Sequence, residues 1–129
     1  MASALVILIL LIAGLVAAAV LWTRYLGRDV EKLVPQAGQI RPVEGGAIHY
    51  VDLGPRDAPV VVLIHGLSGQ LQHFTYGVTD LLEQEYRLIA VDRPGCGYSS
   101  RDSDALAALP QQARMIWALL DALGVERPV

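Results

Sequence analysis

His65-Gly66-Leu67-Ser68-Gly69 places a histidine three residues before a serine among glycines. That grouping raises nucleophilic catalysis, in which an imidazole takes the hydroxyl proton. A serine displayed on a sharp strand-to-helix turn needs glycines two residues before and two after it. Gly66 meets the first requirement, but position 70 is Gln, so Ser68 is not read as a nucleophile. The main chain offers a second chemistry. Glycines directly after a buried strand let the backbone turn sharply and bring its N–H groups toward a ligand, and N–H donors fixed in advance can hold a developing oxyanion. Asp92-Arg93-Pro94-Gly95-Cys96-Gly97-Tyr98-Ser99 repeats the arrangement of an apolar run followed by a glycine loop.

Other candidates carry less. Cys96 is the single cysteine, so it forms no intramolecular disulfide, and nothing in the surrounding sequence marks an activated thiol. His49 has no second ligand at metal spacing and is read as a packed or surface residue. Gly95-Cys96-Gly97-Tyr98-Ser99-Ser100 lacks the third glycine of a dinucleotide fingerprint and is separated by nine further residues from Pro110, where a helix is expected to begin. No Walker A stretch occurs either, so neither loop is read as a nucleotide site.

The elements that position these loops follow from periodicity. Val60 to Ile64 is apolar and mostly β-branched, the composition of a strand buried on both faces, and Arg87 to Val91 reads the same way. Gln39 to Val43 and Ala47 to Leu53 flank Glu44-Gly45-Gly46, which predicts a hairpin. Leu71 to Glu85 has helical spacing despite Gly77, with a helix expected at least in its second half. Ser103 to Leu123 predicts a second helical stretch, with Pro110 opening its main helix and Gly124 ending it. Pro128-Val129 reads as the opening of another strand. Strand, helix, strand, helix, strand after a hairpin is the pattern of an α/β parallel sheet.

The two glycine loops and their spacing resemble the N-terminal half of an α/β-hydrolase, from about Gln39 to Val129. The resemblance implies that Gly66 and Leu67 form the oxyanion-hole loop, with the Leu67 N–H as donor, and that Gly69 helps turn it. It implies that His65 is structural rather than the catalytic base. In the second loop, Asp92 and Arg93 tie the chain down, Gly95 and Gly97 supply the turn, and Ser99 bonds locally. The implied activity is hydrolysis of an ester, amide or related bond in a small-molecule substrate, through a covalent intermediate and without a metal or cofactor. Leu67 stands where epoxide hydrolases commonly carry an aromatic residue, which favours a serine over an aspartate nucleophile. No nucleophile, acid or base of that family is identifiable in the 129 residues. Glu126 to Val129 resembles the stretch that leads into the nucleophile elbow, so the expectation is a domain truncated there, inactive alone and open along one edge of Val60 to Ile64. The alternative is a non-catalytic, membrane-anchored interaction module.

The hydrophobic content of 53% is concentrated at the N-terminus. Met1 to Thr23 carries no charged side chain, and Leu5 to Trp22 is long enough for one transmembrane helix. The organisation expected is a membrane helix or uncleaved signal anchor over 1–24, a juxtamembrane linker over 25–38, with a short helix at Asp29 to Val34, and the partial hydrolase domain over 39–129. Ala17 to Ala19 is the competing signal-peptide cleavage site, which would make the domain periplasmic or secreted. Against it, no Lys or Arg precedes the apolar core. Arg24, Arg28 and Lys32 follow the run, which places the domain on the cytoplasmic side. Trp22 and Tyr25 suit the membrane interface. A net charge of -3 with no basic stripe argues against nucleic acid as a partner.

Overall fold

The computed structural model describes residues 2–102, 104 and 107–128. The chain divides into two compact units, Met1–Gln36 and Ala37–Val129.

The first unit is a helix, α1 (Ala2–Leu33). Within it, Ser3–Arg28 contains an 18-residue window of mean hydropathy 3.2 and is long and apolar enough, by length and composition, to cross a membrane. Leu5, Ile9, Ile12 and Leu21 are all exposed. The rings of Trp22 and Tyr25 lie 6.1 Å apart, tilted by 33°. The helix runs on to Leu33, so most of the stretch read as a linker, and not only Asp29 to Val34, is helical. Pro35 explains the stop, because a proline disfavours helical backbone in the residue before it.

The second unit begins with a hairpin, β1 (Gln39–Val43) and β2 (Gly46–Leu53). Then come β3 (Val60–Ile64), α2 (Gln72–Thr75), α3 (Val78–Leu82), β4 (Arg87–Val91), β5 (Ser100–Arg101) and α4 (Leu109–Ala122). The sheet order is β1-β2-β4-β3, with β5 against β2. β3 and β4 run parallel, Val62 opposite Ile89, while β2 and β4 run antiparallel, Tyr50 opposite Val91. β4 therefore lies inside the sheet and is buried along its whole length. β3 pairs only with β4 among the described residues and is half-buried, with Ile64 exposed.

Side chains alternate across the sheet and give it two apolar faces. Ile48, Tyr50, Ile89 and Val91 pack under Met115, Ile116, Leu119 and Leu120 of α4. On the opposite face Val51 and Ala90 pack with Leu71, and Leu53, Leu63 and Phe74 close around them. This two-sided covering explains why Leu88 to Val91 reads as a continuous apolar run. Beside the open edge of β3, Val62, Ile64, Ile116, Trp117 and Pro128 line an apolar groove of about 260 Å³.

Two expectations need revision, and one strand is additional to those expected. The helix sought over Leu71 to Glu85 is two short helices, because Gly77 at φ 144° breaks the helical backbone between α2 and α3. β5 is a two-residue strand, too short for periodicity to show. α4 begins at Leu109, with Pro110 in its first turn, and ends before Gly124 at φ 68°. The expected helix start at Ser103 falls outside the described residues, as does Val129 of the strand opening expected at Pro128-Val129; Pro128 is described and lies in no strand.

Arg87 opens β4 and crosses to β2. Its Nε and Nη2 donate to Asp52 Oδ1 and Oδ2 at 3.0 and 2.9 Å, a bidentate pair between two buried side chains. Arg56, exposed, also donates to Asp52 Oδ2, at 2.5 Å. The hydrogen bonds to Asp52, aided by its charge and opposed by burial, hold the Arg87 guanidinium above its ordinary titration range.

Candidate functional site

The glycine loops emerge side by side from the C-terminal ends of the parallel pair β3 and β4, where open α/β sheets place their ligands. His65 follows β3 directly and is buried. Its Nε2 accepts the main-chain N–H of Arg93 at 3.0 Å, and its Nδ1 donates to the Gly66 carbonyl at 2.9 Å. A main-chain N–H only donates and a carbonyl only accepts, so the ring is fixed with its proton on Nδ1. Gly69 N–H returns to the same Gly66 carbonyl at 3.3 Å and closes the turn. Ser68, at φ 59°, is the single non-glycine residue with positive φ among the described residues. The Leu67 side chain is 95% exposed at the tip. Its N–H donates to no described residue.

Asp92, at the end of β4, is fully buried and organises the second loop. Its Oδ1 accepts the Leu71 N–H at 2.8 Å, and its Oδ2 accepts the Tyr98 N–H at 3.0 Å. Cys96 N–H donates to the Arg93 carbonyl and Ser99 N–H to the Cys96 carbonyl, winding the loop through two consecutive turns. The Ser99 hydroxyl donates to the Asp92 carbonyl at 2.7 Å. Gly95 and Gly97 have φ of 81° and 51°, and a Cβ on Gly97 would overlap the Asp92 carboxylate. Arg93 Nε donates to Gln112 Oε1 at 3.1 Å, linking the loop to α4. Cys96 is half-buried in this loop.

His49 is the residue that sequence reasoning underrated. It is fully buried, with Nδ1 2.7 Å from Asp92 Oδ2 and Nε2 against the Ala37 carbonyl. Its main-chain N–H donates to the Ser99 hydroxyl at 2.8 Å. The available signal was a polar residue between Ile48 and Tyr50 in the buried middle of the strand. The glycine loops and His49 thus come together around Asp92. Gln72, next to Leu71, is also buried, and its amide oxygen and nitrogen have no hydrogen-bond partner among the described residues. Ser68 lies in the same loop as His65, yet both ring nitrogens of that histidine are already engaged, leaving it no free position as a base.

Residues 59–129 match the family described as the alpha/beta hydrolase fold. The chain belongs to that family. Among curated α/β-hydrolase relatives, it is 36% identical over 105 residues to the cis-3-alkyl-4-alkyloxetan-2-one decarboxylase of Xanthomonas campestris pv. campestris, covering 74% of this chain and 33% of that protein. It is 32% identical over 92 residues to the bifunctional esterase/perhydrolase DCH of Acinetobacter calcoaceticus, covering 71% and 33%. The fold is similar to that of the haloalkane dehalogenase DbeA from Bradyrhizobium elkani, with a TM-score of 0.62, 28% identity, and coverage of 70% of this chain and 30% of that one. The chain thus spans about a third of the length of these relatives.

Proposed function

We propose that these residues form the oxyanion-hole part of a serine-type hydrolase that cleaves an ester, amide or related bond in a small molecule. The observation that carries the reading is the Leu67 N–H. It has no partner among the described residues and sits on a loop fixed at His65 and Leu71, as a donor must be if it is to meet charge that develops only in the transition state. Gly66 and Gly69 shape that loop, while Asp92, Arg93, Gly95, Gly97 and Ser99 form the platform beside it. One such donor is worth roughly 3 kcal/mol of barrier. The names of the relatives, an esterase/perhydrolase and a dehalogenase among them, are compatible with bond cleavage at this kind of site.

The 129 residues alone carry the donor without a nucleophile, so they are proposed to be inactive by themselves. The reading includes a single membrane span through residues 5–22, with the domain on the cytoplasmic side because Arg24, Arg28 and Lys32 follow the apolar run.

A fluorophosphonate probe, which labels activated serines, tests the reading when applied to the purified 129-residue chain beside a longer reading frame that includes a Gly-x-Ser-x-Gly elbow. Labelling of the longer protein alone is the expected result. Labelling of the short chain would make Ser68 a nucleophile and overturn the assignment. Labelling of neither would favour an aspartate nucleophile or a non-catalytic interaction module.

A further inference from the structure

We propose that His49 is a positioning residue for the oxyanion loop: through Asp92 it fixes the segment that presents the Leu67 N–H. The inference deepens the functional reading above and rests on it for the role of Leu67. Its geometry stands independently.

The chain of contacts starts at the Ala37 carbonyl. A carbonyl oxygen only accepts, so Nε2 of His49 carries a proton and donates to it, which fixes the orientation of the ring and turns Nδ1 toward Asp92. Nδ1 and Oδ2 are 2.7 Å apart with both side chains fully buried, so a proton lies between them in a water-excluded, charge-assisted bond. The main chain of the same residue holds Asp92 from another side. The His49 carbonyl accepts the Asp92 N–H at 2.9 Å, and the His49 N–H reaches the Ser99 hydroxyl, which donates to the Asp92 carbonyl. The Tyr98 ring meets the His49 ring edge-on, with centroids 5.3 Å apart. Carboxylate and main chain of Asp92 are both fixed by one residue of β2.

The carboxylate passes this constraint on. Oδ1 receives the Leu71 N–H, the last residue of the loop, while the first residue, His65, is held by the N–H of Arg93, the neighbour of Asp92. Leu67 lies between these two anchors, and both rest on the end of β4. Without the His49 donor, Oδ2 keeps Tyr98 N–H, and the carboxylate is free to rotate away from Leu71. A histidine that merely filled space on this face would need neither the second acceptor at Ala37 nor the alignment of Nδ1 with Asp92.

The test is amide hydrogen exchange by NMR on the full 129-residue chain in detergent micelles, comparing the wild type with His49→Phe and His49→Gln. Phenylalanine keeps a ring of similar size and removes both donors, whereas glutamine retains one donor toward Asp92. The Leu71 amide is expected to exchange about tenfold faster or more in His49→Phe, while Ile89 and Ala90 inside β4 stay within about twofold of wild type. His49→Gln should recover part of the Leu71 protection. The wild type should also show a downfield imidazole N–H proton assigned to His49 Nδ1 that vanishes in Asp92→Asn, a readout available even if His49→Phe does not fold. Unchanged Leu71 exchange, an equal rise at Leu71 and Ile89, or no such resonance would each overturn the inference. None of these outcomes depends on probe labelling, so failure of the hydrolase reading is seen separately.

Discussion

The Arg93 N–H donates to Nε2 of His65 across 3.0 Å, joining the beginnings of two loops that are 28 residues apart in sequence. This bond consumes the acceptor nitrogen of the imidazole. A histidine in a conspicuous His-Gly-x-Ser grouping is thereby removed from acid-base chemistry and becomes part of the scaffold. What remains at the loop tip is main chain, with an exposed leucine beside it.

Leu67 should therefore separate into a dispensable side chain and an available N–H. Leu67→Ala is expected to change the unfolding free energy by less than about 0.5 kcal/mol, because the side chain is exposed. In hydrogen exchange the Leu67 amide should exchange close to the rate of an unprotected one, while that of Leu71, bonded to Asp92, is protected. A slow Leu67 amide would mean that the donor is already occupied.

Gly97 and Gly66 should respond in opposite ways to an added methyl group. Gly97→Ala places a Cβ into the Asp92 carboxylate at a φ of 51°, and a loss of about 2 kcal/mol or more is expected in urea unfolding. Gly66→Ala meets nothing within 4 Å and should change stability by less than about 1 kcal/mol.

The Arg87–Asp52 pair should support the sheet evenly across alkaline pH. Because Asp52 raises the folded-state pKa of Arg87, the contribution is complete below the unfolded value and declines only as pH climbs through the higher folded one. Arg87→Ala should cost about 3–5 kcal/mol by leaving Asp52 without its buried partner. That difference from wild type should be the same at about pH 7 and pH 10, where guanidinium stays charged in both states. A penalty that shrinks by pH 10 would assign the loss to another group.

Gln72 offers a gain. Its buried amide makes no hydrogen bond with a described residue, so Gln72→Met should fill the same space without the desolvation penalty and raise the unfolding free energy by about 1 kcal/mol. A loss on this substitution would reveal a partner for the amide, such as a bound water.

The strands were legible in the sequence for a physical reason. Val60–Ile64 and Leu88–Val91 are unbroken apolar runs bounded by abrupt changes in composition, and in β4 burial on two faces demands such a run. The helix breaks were less visible. Gly77 sits in a stretch whose apolar spacing continues past it, so periodicity joins what its positive φ divides. At the candidate site, the glycine loops announce themselves by composition, but their fastening does not. His49 lies 43 residues before Asp92, and only the pairing of β2 with β4 brings the two together. A single polar residue in a strand gives no indication of which distant carboxylate it will meet.

The position of β4 also sets an order of assembly. This strand separates β2 from β3 in the sheet, yet it comes after both in the chain. During synthesis the hairpin and Val60–Ile64 leave the ribosome without the partner that joins them, and at 5–20 residues per second the wait until Val91 is on the order of seconds. Among the described residues β3 has no strand partner but β4, so the sheet does not grow by adding strands in sequence order. The loops at its C-terminal end acquire their shape at the same moment, since Asp92, which fastens them, is the residue immediately following that strand.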